Sequence, residues 1–373
     1  MKASVACGGT GGHAFPGLAV AAALAERGHD VTVWDSGRDV ESSVMRNWPG
    51  KAFSTGARQF TAANVFANIR AVFRCRRELS RARPGVLLAM GSYSSFAPVA
   101  AAASCGVPVV LHEANTVPGR AVEFLSRFAK AVAVSFASTP RYLPKAKTVQ
   151  TGLPVRPGIA AGKRFDFIPS DAFTVFVTGG SQGAHAVNLL ATEALASVKR
   201  ELDRRGAGGR PLYVIHQTGQ KDEGVAMAAY AVAAIPAKVS AFEDRMADAF
   251  ASADLVIARA GASTCFELAA CGKPALLVPL PSALRNHQHF NAEAFAAKGA
   301  ADEAVQQNIS PHQLSRYILD KYDHPEKLAA MSAKVKALAV PDAANRLADL
   351  VEEIAAKGSQ GGKIAPVLGQ IVS

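Results

Sequence analysis

Cysteine is scarce: five residues in 373, Cys7, Cys75, Cys105, Cys265 and Cys271. The number is odd and no C-x-x-C pair occurs, which argues against a disulfide framework or a zinc site and fits a reducing cytoplasm. Long apolar runs are missing too. Phe96–Leu111 comes nearest, but Pro98, Gly106 and Pro108 interrupt it, so no segment reads as a spanning helix. No secretory signal is expected, because Met1–Cys7 meets a glycine cluster before an h-region could form. Neither an Asp-x-Asp pair nor a clustered His/carboxylate set suggests a metal. With 31 Gly and 20 Pro, both near average, collagen-like and low-complexity classes are excluded.

What remains is a folded composition, 49% hydrophobic and 19% charged, with length for two or three domains. The charge is less ordinary, since 41 Lys+Arg against 30 Asp+Glu leaves +11, which points to a polyanionic partner. Residues 1–156 hold 19 basic and 8 acidic side chains, whereas 157–373 hold 22 of each, so the first part carries the whole excess.

Along the chain, strand, glycine turn and helix recur. Lys2–Cys7 ends in Gly8-Gly9-Thr10-Gly11-Gly12, and an Ala/Leu-rich helix follows as far as Gly28. Strands are expected at Val31–Trp34, Val86–Ala89, Val107–Leu111 and Ala131–Val134. Gly152–Pro169 reads as a linker, after which Phe173–Thr178, Gly179–Gly183 and a helix over Ala184–Arg200 repeat the opening grammar. Strands at Leu212–Ile215, Leu255–Ala258 and Ala275–Val278 complete the second half. Continuous apolar strands alternating with helices imply an α/β architecture of two doubly wound parallel-sheet domains facing a cleft.

A glycine loop between strand and helix lets phosphate approach backbone N–H groups at the positive end of the helix dipole. Gly9–Ala14 also fits G-x-G-x-x-A, with Asp35 ending the next strand, so an NAD site and a purely geometric turn both stay open. The second loop and Gly91-Ser92-Tyr93-Ser94-Ser95 make three candidate cradles, which suit two phosphate-bearing substrates better than one dinucleotide. His13 would open the first helix, where the dipole lowers its pKa from about 6.5 and keeps it able to take a proton from a hydroxyl. A capping or packing histidine is the alternative. His112-Glu113-Ala114-Asn115 puts polar groups at the carboxyl edge of the sheet, where a structural turn is the competing reading.

Glu267, expected about one turn into a helix, can grip a ribose diol or merely complement the dipole as a first-turn acid. Asn286-His287-Gln288 offers amide groups to a neutral sugar, or caps the helix Phe290–Lys298. Between Asn64 and Pro84, Val65, Ile69, Val72 and Phe73 recur at helical spacing beside Arg70, Arg74, Arg76, Arg77, Arg81 and Arg83. Such a basic amphipathic helix reads as a membrane-surface element, against a core helix with a solvated basic face. Nucleic acid fits less well, because aromatic residues for base stacking are sparse there.

Taken in order, GGTGGH at 8–13, HEAN at 112–115, TGLPVR at 151–156, GGSQGA at 179–184, GAST-x-x-E at 261–267 and NHQ-x-x-NA at 286–292 resemble the MurG family of bacterial cell-wall N-acetylglucosaminyltransferases. The resemblance covers about residues 2–355. It implies a GT-B fold and metal-independent, inverting transfer of N-acetylglucosamine from UDP-GlcNAc to the C4 hydroxyl of the muramic acid of lipid I, giving lipid II and UDP in peptidoglycan synthesis. It requires no cofactor. It implies His13 as general base, and donor contacts at Ser181, Gln182, Ala262, Ser263, Thr264, Cys265, Phe266, Glu267 on ribose, Gln288 near the sugar and Glu243 near the uracil. Thr10, Gly11, Gly12, Asn115 and Arg156 fall where the family meets the donor, and Gly11, Gly12, Gly91, Ser92 and Tyr93 where it meets the acceptor diphosphate.

The resemblance also divides the chain. Residues 1–155 would form a Rossmann-like acceptor domain, docked through Ile69, Val72, Phe73, Arg74, Arg76 and Arg77 on the anionic cytoplasmic face of the inner membrane. A linker at 156–169 would lead to a UDP-GlcNAc domain at 170–340, then a helix at 341–357 packing back on the first domain and a tail at 358–373. Three departures stand out: Gly91-Ser92-Tyr93-Ser94 where the family has a glycine pair and Val-Ser, Ala114 where it has Gln, and Glu243 where it has an apolar residue. An NAD-dependent oxidoreductase and a non-catalytic sugar-nucleotide binding module are the alternatives. UDP against NADH as stabilising ligand, and UDP release, separate them.

Overall fold

The computed structural model describes residues 1–9, 11–37, 48–59, 61–206 and 208–360. They form two compact units, one comprising Met1–Arg156 with the chain from Val340 onward, the other Pro157–Ala339.

The first unit is built on a parallel sheet of β1 (Lys2–Ala6), β2 (Asp30–Asp35), β3 (Lys51–Ser54), β4 (Val86–Ala89), β5 (Val109–Glu113), β6 (Ala131–Val134) and β7 (Thr148–Gln150), in the order β3-β2-β1-β4-β5-β6-β7. β4, β5 and β6 are buried at every position, which is why β4 and β6 read as continuous apolar runs and β5 does so until His112 and Glu113 at its carboxyl end. Helix Gly11–Glu26 lies on one face and Val65–Ala82 and Phe96–Cys105 on the other. The chain returns to this unit as helix Ala343–Gln360, whose Leu347, Val351 and Ile354 join Val20 and Leu24 in the core. Its acidic face meets Arg27, which donates to Asp349 at 2.6 Å and Glu352 at 2.9 Å.

The second unit repeats the plan with β8 (Phe173–Thr178), β9 (Leu212–Gln217), β10 (Ala237–Ser240), β11 (Leu255–Ala258), β12 (Ala275–Leu277) and β13 (Asp302–Glu303), ordered β10-β9-β8-β11-β12-β13 and parallel throughout. The expected helix after the second glycine loop runs His185–Arg205, and the one after the NHQ segment His287–Ala296. Residues 157–169, read from the sequence as a linker, are packed into this unit. Phe165 is buried and its N–H donates to Ser252 Oγ at 2.9 Å, while a Cβ on Gly162 would lie 2.0 Å from the carbonyl of Ala247.

In both sheets the strand order reverses beside the first strand, between β1 and β4 and again between β8 and β11. Connections leave such a pair in opposite directions and open a crevice at the carboxyl ends, where α/β proteins bind ligands. All the glycine motifs of the sequence flank these two places.

Candidate functional site

In the first unit the reversal joins three segments. Ser92 and Ser94 both donate to the carbonyl of Gly8, at 2.6 and 2.5 Å, and their hydroxyls also meet each other. Gly9 has φ +126, and a Cβ there would stand 2.5 Å from Ser92 Oγ. Gly91 has φ +86, and a Cβ would meet the carbonyl of His112 at 2.4 Å. Glycine is required at both, by conformation and by space. Ser92 therefore ties the two loops together, and its hydroxyl is already engaged. Helix Gly11–Glu26 begins beside this knot with His13 as its third residue. Phe15, two residues on, carries the guanidinium of Arg156 over its ring at 4.5 Å, which brings the end of the TGLPVR motif to the start of the first helix. Thr10 lies outside the described residues.

The carboxyl end of β5 supplies the polar groups. His112 is buried, with Nε2 3.3 Å from both the carbonyl of Gly152 and Ser135 Oγ. Desolvation pushes its pKa down to about 4, and the nearby His13 adds to the shift. Glu113, 3% exposed, accepts from the N–H of Asn115 at 2.8 Å, from Asn115 Nδ2 at 3.1 Å and from the N–H of Gly119 at 2.9 Å. Burial raises its pKa to about 7 against the pull of these bonds. The HEAN turn is thus folded around one carboxyl group, and Asn115 is oriented by it.

In the second unit, Gly183 has φ +71, and its Cβ would lie 1.9 Å from the carbonyl of Thr218, so the loop presses against the end of β9. Ser181 and Gln182 stand exposed at its tip. The helix that follows has Ala184 at its N-cap, and the helix after β11, Ala262–Cys271, has Gly261; neither receives a side-chain cap. Two helix starts with N–H groups not capped by a side chain therefore flank one crevice, an arrangement suited to an anion.

Helix Ala262–Cys271 sorts the GAST-x-x-E residues. Ser263 and Thr264 are half-buried. The Cys265 thiol is fully buried, its pKa pushed up to about 12 by desolvation, and Phe266 packs edge-on against Phe295, so these two side chains serve the core. Glu267, 4% exposed, lies in the second turn, which removes the reading of a solvated first-turn acid. Glu243, expected near a base, has its carboxylate engaged within the second unit. Its carboxylate is buried against Lys238 Nζ and accepts the N–H of Arg245 at 2.9 Å, leaving backbone as the group it can present. Gln288 accepts the N–H of Leu280 at 3.0 Å, which leaves its amide NH2 as donor.

Sequence reading missed Arg259, 7% exposed at the end of β11. It donates to the carbonyls of Val278 and Pro279 at 3.0 and 3.1 Å and to Gln306 Oε1 at 2.7 Å, which ties down the segment leading to Gln288. A run of four apolar strand residues before it was the only available signal.

The basic helix Val65–Ala82 turns Ala71, Cys75 and Leu79 inward, with Val72 packed against that core. Val72, expected among the docking residues, is half-buried against this core. Ile69 (47%), Phe73 (67%) and Phe66 (80%) are exposed instead, interleaved with Arg70, Arg74, Arg76 and Arg77. None of these four arginines forms an ion pair among the described residues. No helix there is long and apolar enough to cross a membrane, and no three His, Cys, Asp or Glu residues cluster as a metal site.

Residues 4–134 match the glycosyltransferase family 28 N-terminal domain, and residues 174–347 match its C-terminal domain. The chain belongs to glycosyltransferase family 28. It is 37% identical over 359 residues to the UDP-N-acetylglucosamine--N-acetylmuramyl-(pentapeptide) pyrophosphoryl-undecaprenol N-acetylglucosamine transferase of Syntrophotalea carbinolica, covering 93% of this chain and 97% of the relative. The relative of the same name from Agrobacterium fabrum is 35% identical over 366 residues, 94% of each chain. Among solved structures, Acinetobacter baumannii MurG superposes with a TM-score of 0.75 at 30% identity, covering 94% of this chain and 99% of that one. UDP-GlcNAc 2-epimerase from Neisseria meningitidis, at 14% identity and a TM-score of 0.70, shares the fold. The fold of this family 28 member is GT-B, and the second reversal point lies within its C-terminal family match.

Proposed function

We propose that this chain transfers N-acetylglucosamine from UDP-GlcNAc to the C4 hydroxyl of the muramic acid of lipid I, forming lipid II and UDP. Membership in family 28 with full-length relatives of that name carries the reading. The geometry supports it, because each unit has its own glycine-lined reversal point, one for each of two phosphate-bearing substrates.

In the reaction the acceptor C4 oxygen forms a bond to the anomeric carbon from the face opposite UDP. The bond from that carbon to the β-phosphate oxygen breaks, and its electron pair leaves with UDP. Inversion follows from this single in-line displacement. His13 takes the hydroxyl proton; its position at the helix start, near a buried and neutral His112, supports that role. The uncapped starts of His185–Arg205 and Ala262–Cys271, with Ser181, hold the diphosphate and offset its growing charge. Glu267 binds the ribose and Gln288 the sugar. Gly11, Gly12 and the Gly91 loop take the acceptor diphosphate through backbone groups, since Ser92 is bonded to Gly8.

The protein docks peripherally on the anionic cytoplasmic leaflet through helix Val65–Ala82. Exposed Phe66, Ile69 and Phe73 among arginines that form no ion pair with the described residues support this. At roughly 1 kcal/mol per basic residue near such a surface, the attachment is reversible.

The deciding assay is UDP release from UDP-GlcNAc and from other UDP-sugars, with and without a lipid I analogue. Release that depends on both UDP-GlcNAc and acceptor is expected. Binding without release would leave only a sugar-nucleotide binding module, and stabilisation by NADH in place of UDP would favour the oxidoreductase.

A further inference from the structure

In the second unit, helix Glu223–Val232 turns Ala226 and Tyr230 into the core. Its other side is apolar and open. Val232 is 90% exposed, Val225 57% and Met227 54%, and Gly224, Ala228 and Ala231 are exposed between them. No charged residue occurs from Gly224 to Ala237. We propose that this face is an interface between two copies of the chain, in which the helix pairs antiparallel with its own copy about a twofold axis at Ala228.

Three observations carry it. The neighbouring helix His185–Arg205 shows an ordinary solvent face, since from Glu193 onward its exposed positions are Glu193, Arg200, Asp203, Arg204 and Arg205. A contiguous apolar surface in place of such residues marks an interaction site. Next, the face fits itself. An antiparallel pair centred on Ala228 sets Gly224 against Val232 and Val225 against Ala231, a small residue opposite each large one, so the two helices can approach closely. Finally, the ends agree. Asp222 and Glu223 at the start of one helix fall opposite the chain beyond Val232 of the other, where Ala234 and Pro236 line a cavity of about 750 Å³ with Lys199, Asp203, Arg205 and Arg210. The three cations there already hold carboxylates of their own chain, Asp203, Asp323 and Asp254, so the acidic start meets no excess of negative charge. The positive start of each helix dipole also lies beside the negative end of the other.

A second copy fits this face better than a lipid surface does. Anionic lipid would find no cation between Gly224 and Ala237, whereas arginines accompany the apolar residues of helix Val65–Ala82. Extent sets the strength. A stable dimer buries about 800 Å² on each partner. The helix has 10 residues and is only about 15 Å long, so the cavity rim at Ala234 and Pro236 must join the contact. The result is a reversible dimer with a dissociation constant on the order of micromolar.

The experiment is sedimentation equilibrium of the full chain over a micromolar concentration series, for the parent, Ala228→Glu and Ala228→Lys, after unfolding curves confirm native stability. The parent is expected to dimerise. Each variant alone should associate at least about tenfold more weakly, because residue 228 meets its own copy across the axis and like charges oppose there. Mixing the two variants should restore association, since opposite charges then meet at the axis. A parent that stays monomeric, variants that dimerise like the parent, or a mixture that stays monomeric would each overturn the proposal. Two further arms identify another occupant. Dimerisation that begins only when residues 361–373 are removed would give the face to that segment, whose Ile364, Val367, Leu368, Ile371 and Val372 are apolar. Binding of a monomeric parent to phosphatidylcholine vesicles that Ala228→Glu abolishes would give it to lipid, and either result overturns the dimer.

Discussion

Replacing Glu113 with Gln tests whether the HEAN turn is organised by a carboxyl group that holds a proton near neutral pH. In the native protein that carboxyl is buried, accepts three N–H groups from Asn115 and Gly119, and has its pKa raised from 4.5 to about 7. A folded-state pKa above the unfolded value means that the native state keeps a proton the unfolded chain has lost. The resulting stabilisation is complete below about pH 4.5 and disappears as pH rises through about 7. A shift of that size corresponds to about 3 kcal/mol. Glutamine does not titrate, so the parent alone loses this contribution. Glutamine also turns an NH2 towards the N–H of Gly119, a fixed cost of about 1–3 kcal/mol for an unmet donor. The variant should therefore be less stable than the parent near pH 5, with the gap narrowing by about 2–3 kcal/mol near pH 8. Urea unfolding followed by tryptophan fluorescence reads this cleanly, because both tryptophans, Trp34 and Trp48, lie in the first unit. A gap of the same size at both pH values would refute the raised pKa, and a widening gap would reverse its sign.

His112 runs the opposite way: its folded pKa of about 4 lies below the ordinary 6.5, so its contribution is present above about 6.5 and lost as pH falls towards 4. His112→Asn should flatten that acid-side loss in the same fluorescence assay, and an unchanged slope would contradict it. His13→Ala should lower turnover by about 10²–10⁴-fold while UDP-GlcNAc binding, followed by calorimetry, is largely kept. Turnover equal to the parent's would remove His13 from the mechanism. Exchanging Arg74, Arg76 and Arg77 together for Gln should weaken sedimentation with anionic vesicles by about a hundredfold, three charges at roughly 1 kcal/mol each. Equal sedimentation would sink membrane docking.

How far the site could be read in the sequence depended on whether its chemistry was local. Glycine loops are local: Gly91 and Gly183 are demanded by a backbone conformation and a close carbonyl, and both leave their mark at the strand-to-helix junction where they act. The strands that flank them are buried on both faces, so an apolar run located β4, β6, β8 and β11 to the residue. β3, β7, β10 and β13 escaped because they are short and only partly covered, with no such run to show. Periodicity likewise found helix Val65–Ala82 but not its orientation. Its apolar residues share a spacing, yet the inward face is made of Ala71, Cys75 and Leu79, packed against helix Phe96–Cys105, and the large Phe66 and Phe73 are left outside.

Buried polar groups are the opposite case, since their meaning lies in remote partners. Nothing adjacent to Arg259 announces that it will bind carbonyls at 278 and 279, and nothing beside Glu243 announces Lys238 across the turn. The same distinction explains the charge. The excess in residues 1–156 is visibly concentrated between Asn64 and Pro84, but the sequence does not show which arginines are answered; Arg27 meets the acidic helix returning from Ala343, more than 300 residues later. Arg70, Arg74, Arg76 and Arg77 receive no such partner among the described residues. Helix Ala343–Gln360 supplies carboxylates to one surface arginine of this unit, whereas Arg70, Arg74, Arg76 and Arg77 stand beside exposed Phe66, Ile69 and Phe73, and on that contrast the proposed membrane docking rests.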